Sequence, residues 1–112
     1  MTYINKIFSS TVLLVICAPS FATNPDMARI FGPCGAAASI LYGRTTNAGA
    51  NKILKEIAIA AEKNGIKYAG KEAYYEKYSE MLVVYGDIVN TAKGNKMTWD
   101  TIHHCKNILD IK

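Results

Sequence analysis

The sequence predicts an all-α fold: a small four-helix bundle with one interhelical disulfide. Three observations carry this. Apolar residues recur at helical spacing in four stretches. No stretch shows the strict alternation of a half-buried strand. Two cysteines, Cys34 and Cys105, fall on the apolar faces of the first and last of these stretches.

The chain begins with a segment that reads as an export signal, residues 1–22. Lys6 is its only charged side chain and lies in a short positive leader. An apolar run of about 12 residues follows, well short of the roughly 20 that a spanning helix needs. Pro19 breaks it, and Ser20-Phe21-Ala22 places small residues at the two positions a signal peptidase reads. Cleavage is expected after Ala22. Leu14-Val15-Ile16-Cys17 resembles a lipobox, but Ile16 is large and branched where that motif wants a small residue. Lipidation at Cys17 is therefore not the expectation, and neither is membrane insertion after cleavage. Residues 23–112 then form one helical domain in the periplasm or outside the cell.

Removing Cys17 leaves Cys34 and Cys105 as a pair, and two thiols in an oxidising compartment bond by default. Without Lys6, twelve Lys and Arg face nine Asp and Glu, so the charge falls from +4 to +3.

The first helix is expected over 25–42. Asn24 suits its cap, Pro25 its first position and Asp26 its dipole. Met27, Ile30, Phe31, Cys34, Ala37, Ala38 and Leu41 keep one phase across Pro33, which predicts a kinked helix rather than two short ones. Gly35 and the alanines invite close approach by a neighbour. The second helix, over 48–64, buries Ala50, Ile53, Leu54, Ile57, Ala60 and Ala61; Gly65 is read as its left-handed terminator, with Ile66 folding back on Ala61. The third, over 71–92, carries Tyr74, Tyr78, Met81, Leu82, Tyr85, Ile88, Val89 and Ala92 on its stripe. Gly94 would end it, and close helix packing would explain Gly86. The fourth, over 99–111, takes Thr98 as its cap and Met97 with Ile102 as a hydrophobic staple. Ile102, Cys105, Ile108 and Leu109 face inward.

Several chemistries find little support in the residues. Lysines are dispersed and arginine occurs only at Arg29 and Arg44, which is no nucleic-acid stripe. Gly65, Gly70 and Lys71 match P-loop spacing, but Glu72 stands where that loop needs Ser or Thr, and a helix precedes it instead of a strand. His103, His104 and Cys105 point about 100° apart on a helix and cannot converge on one ion. Asp100 and His104 share a face, yet two ligands are too few for a zinc site. Ser39 and Ser79 lack a nucleophile context, and a bonded Cys34–Cys105 pair leaves no thiolate. Glu72, Glu76 and Glu80 form an ordinary solvated face. No catalytic residue, cofactor or metal is expected.

The tyrosines stand out. Tyr68, Tyr74, Tyr75 and Tyr78 crowd the third helix and its approach, with Tyr85 beyond them. Neighbouring helical residues diverge by about 100°, so Tyr74 and Tyr75 cannot both face one core. Tyrosine is enriched at protein interfaces, and these four form the expected partner surface. In size, export signal and helicity the chain resembles two kinds of small periplasmic protein: acid-stress chaperones of the HdeA type and exported immunity proteins. The expected role is non-enzymatic, binding or inhibiting another exported protein; a stress chaperone that opens at low pH is the alternative, and an enzyme is the third reading.

Overall fold

The structure is a computed structural model that describes residues 22–111; the export-signal reading and Cys17 lie outside that range apart from Ala22. A short 3₁₀ turn, Pro25–Met27, leads into α1 (Ala28–Leu41), followed by α2 (Ala48–Ala69), α3 (Lys71–Ile88) and α4 (Ala92–Leu109). No strand occurs among the described residues. The fold is the expected all-α arrangement of four helices, and Cys34 and Cys105 are bonded with their Cα atoms 5.7 Å apart.

α1 is the hub of the bundle. It packs along α2 and α3 and, over a shorter patch, against α4. Residues 34–38 are all buried, so in this stretch the helix is covered on every side. A helix apolar all round belongs in a core, and the run Cys34-Gly35-Ala36-Ala37-Ala38 has the small side chains that let three neighbours approach it. Leu41, Leu54, Ile57, Tyr85, Val89 and Ile102 fill the space around these small residues. The helix continues through Pro33 without a break. Asn24 caps the 3₁₀ turn, its side chain accepting from the Asp26 N–H at 3.0 Å.

Three helix boundaries differ from the sequence reading by four residues or more. α2 does not end at Gly65 but runs on to Ala69, with the turn to α3 reduced to Gly70 at φ +94°. α3 stops at Ile88, before the expected Ala92. α4 starts at Ala92 rather than near Trp99, and its cap is Thr91, whose hydroxyl accepts from the Gly94 N–H at 2.9 Å. Thr98 is therefore no cap. It is buried within α4 and donates to the Gly94 carbonyl at 2.7 Å. Met97 is half exposed, so the staple with Ile102 is absent. Gly94 lies within α4, where a Cβ would stand 1.9 Å from the Ile88 carbonyl oxygen. Only a glycine lets the start of α4 press against the end of α3. Ile30 and Ile108, expected inside, are exposed.

Gly86 behaves differently. A Cβ at this position would meet only the Ile40 Cδ1, at an ordinary 3.6 Å. Close packing therefore does not account for this glycine. Gly86→Ala should raise stability by about 0.5–1 kcal/mol through helix propensity, measured by urea denaturation. An unchanged or lower midpoint would contradict this.

Candidate partner-binding groove

The one-residue link at Gly70 sets the first turn of α3 beside the last turns of α2. Tyr74 is thereby driven inward and is only 1% exposed. Its ring lies against Gly65 of α2, where an added Cβ would come within 2.1 Å of Cδ1. Its hydroxyl reaches Gly35 of α1, where an added Cβ would come within 2.2 Å of the oxygen. Two glycines on two helices thus form the slot for one ring. This is why Gly65 lies inside a helix and does not terminate it. Burial pushes the Tyr74 pKa upward, with Tyr78 and Glu62 adding to the shift. Among the described residues its hydroxyl has no hydrogen-bond partner.

Tyr75 and Tyr78 surround this buried ring. Tyr78 is stacked on Tyr74, with centroids 5.8 Å apart and planes at 25°. Tyr75 stands edge-on to both, at 5.2 Å and 69° from Tyr74 and at 6.3 Å and 85° from Tyr78. The Tyr75 hydroxyl donates to the Glu62 carboxylate, and this bond is the main cause of its raised pKa. The Tyr78 and Ser39 hydroxyls are 3.0 Å apart. An alcohol paired with a phenol is positioned rather than activated, since nucleophile activation needs a base.

A cleft of about 200 Å³ opens here, with Ser39 from α1, Ala58, Ile59 and Glu62 from α2, and the three tyrosines from α3. A second cleft of about 300 Å³ shares Ser39, Ala58 and Ile59 with the first and extends to Tyr42 and Lys55. Together they form one groove. Ile59 is 57% exposed and Tyr42 52%, so large apolar side chains sit at its surface.

Of the four tyrosines expected at a partner surface, Tyr74, Tyr75 and Tyr78 come together. Tyr74 serves as the buried support, while Tyr75 and Tyr78 remain partly accessible. Tyr68 does not join them. It is 44% exposed and stacks on Phe31 at 6.1 Å, with the Lys67 ammonium 5.1 Å from its ring centre. The sequence reading missed Ile59, Tyr42, Glu62 and Ser39. Ile59 did leave a signal: it lies about 200° from Ile57, a large apolar residue opposite the buried face of α2.

A larger cleft, about 430 Å³, lies beside the disulfide and includes Ile30, Ile108, Arg29, Asp100 and His104. Its polar groups are partly engaged: Asp100 pairs with Lys96 at 2.9 Å, and Tyr85 meets the Thr101 hydroxyl at 3.1 Å. Among the described residues no group of three or more His, Cys, Asp or Glu could hold a metal ion. Nor is any of their helices long and apolar enough to cross a membrane. The chain matches no protein-family model, no curated protein and no solved structure.

Proposed function

We propose that the chain is exported, that its mature form begins at Thr23, and that it acts as a non-enzymatic binding protein inhibiting another periplasmic or secreted protein. The observation that supports this reading best is the groove between α1, α2 and α3. It exposes Tyr42 and Ile59 beside the accessible edges of Tyr75 and Tyr78. Exposed apolar groups beside a cleft mark interaction sites. Aromatic anchors held rigid by their supports give binding energy at little entropic cost. Here Tyr74, wedged between Gly35 and Gly65, fixes the position of its two neighbours.

Truncating an interface tyrosine costs about 2 kcal/mol or more at a hot spot. Tyr75→Ala should therefore weaken capture of the partner at least about tenfold. The fold should survive, because Tyr75 is only partly covered and bonds outward to Glu62. Affinity capture from periplasmic extract, at neutral and at acidic pH, provides the measurement. One stoichiometric partner at neutral pH, lost in the variant, is the expected result. Many clients retained only after acidification would replace this reading with a stress chaperone. A partner that ignores the substitution would remove the groove from the account.

A further inference from the structure

Resting on the reading above, we infer that the tyrosine cleft receives a lysine side chain of the partner. Four observations converge. Glu62 is an exposed carboxylate whose partner is the neutral phenol of Tyr75, and among the described residues no cation pairs with it. Its charge is thus held at the cleft without an opposite charge. The rings of Tyr75 and Tyr78, which line the same cleft as Glu62, stand nearly perpendicular at 85°, so their faces point in different directions. An ammonium group is attracted to such faces within about 6 Å of a ring centre. The same chemistry already occurs within this protein, where Lys67 sits over Tyr68.

The third observation is the apolar strip of Ala58 and Ile59 that continues the cleft away from Glu62. Lysine has a four-carbon stem that lies along apolar surface and a compact charged head. A stem on Ile59 would carry the head to Glu62. The fourth is size. A cleft of about 200 Å³ accommodates one extended side chain and is too small for a folded element. The neighbouring cleft toward Tyr42 and Lys55 would take the adjoining residues of the partner. Lys55 lies two turns from Glu62 on α2, so a partner segment with its lysine at Glu62 and an acidic residue at Lys55 matches both ends of the groove.

The test uses residues 23–112 with the disulfide intact and needs no knowledge of the partner. The probes are three capped tripeptides, N-acetyl-alanyl-X-alaninamide, with X as lysine, norleucine or arginine. Their binding is followed by amide chemical shifts. The lysine probe should move resonances around Glu62, Tyr75 and Tyr78 saturably and bind about tenfold better than the norleucine probe, which keeps the stem and lacks the charge. Glu62→Gln should remove most of that preference and leave the melting temperature unchanged. Equal binding of the lysine and norleucine probes overturns the inference, as do shifts elsewhere on the surface or no saturable shifts. A stronger response to arginine also overturns it, because the site would then select a planar guanidinium. Failure here, with a partner still lost in Tyr75→Ala, would leave the binding role standing and refute only its lysine chemistry.

Discussion

Removing the disulfide as Cys34→Ala/Cys105→Ala is expected to lower stability by about 4 kcal/mol. The bond closes a loop of 71 residues in sequence separation, and the chain-entropy model gives about this value for such a loop. That is a large share of the 5–15 kcal/mol typical of a whole domain. The loss should also be uneven. α4 reaches the core mainly through one buried residue per turn: Gly94, Thr98, Ile102 and Cys105. α1, α2 and α3 share more extensive contacts with one another. Without the bond, amide exchange should therefore accelerate in α4 well before it does in α1. Chemical denaturation and hydrogen exchange of the double variant measure both effects. A loss below about 1 kcal/mol would show that α4 is held by packing alone, and equal acceleration in all four helices would show that the bond steadies the bundle as a whole.

The second large effect concerns the slot of Tyr74. In an exposed helix, Gly→Ala stabilises by about 1 kcal/mol. At Gly65 and Gly35 the sign should reverse, because the new methyl would meet a buried ring or its hydroxyl well inside contact distance. Overpacking of this kind costs about 1–3 kcal/mol. The two sites differ in which atoms object. At Gly35 the nearest atom is the Tyr74 hydroxyl oxygen; at Gly65 it is ring carbon. Tyr74→Phe should therefore rescue much of Gly35→Ala and none of Gly65→Ala. Alone it should be nearly neutral, since the hydroxyl it deletes has no hydrogen-bond partner among the described residues. Thermal denaturation of the single and double variants gives the coupling directly. No rescue at Gly35 would mean that the ring, not its hydroxyl, presses on α1.

These glycines also show where sequence reasoning reached its limit. A glycine near the end of an apolar stripe carries the same local signal whether it terminates a helix or admits a neighbour. By local pattern alone, Gly65 and Gly94 both read as terminators. What decides the matter is tertiary: the ring of Tyr74 in one case, the carbonyl of Ile88 in the other. The start of α4 was misplaced for a related reason. Thr91 and Thr98 are both competent caps, and only the packing of Gly94 against α3 selects the first. The disulfide was legible because two independent stripes each carried a cysteine in phase. The split between Tyr74 and Tyr75 was legible from helical geometry alone. The groove was not, since it is assembled from Ser39, Ile59 and Tyr78 on three helices whose relative placement no local pattern encodes.

On the proposed function, this groove and not another exposed apolar surface should carry the partner. Site-directed photocrosslinking tests it most directly. Ile59→p-benzoylphenylalanine places the reactive group in the groove. Val83→p-benzoylphenylalanine places it at a 64% exposed apolar position of α3 that lines neither cleft of the groove. Irradiation in the periplasm should join the first variant to one exported protein and leave the second unjoined. Crosslinks from Val83 alone, equal crosslinks from both positions, or none from Ile59 would contradict the account.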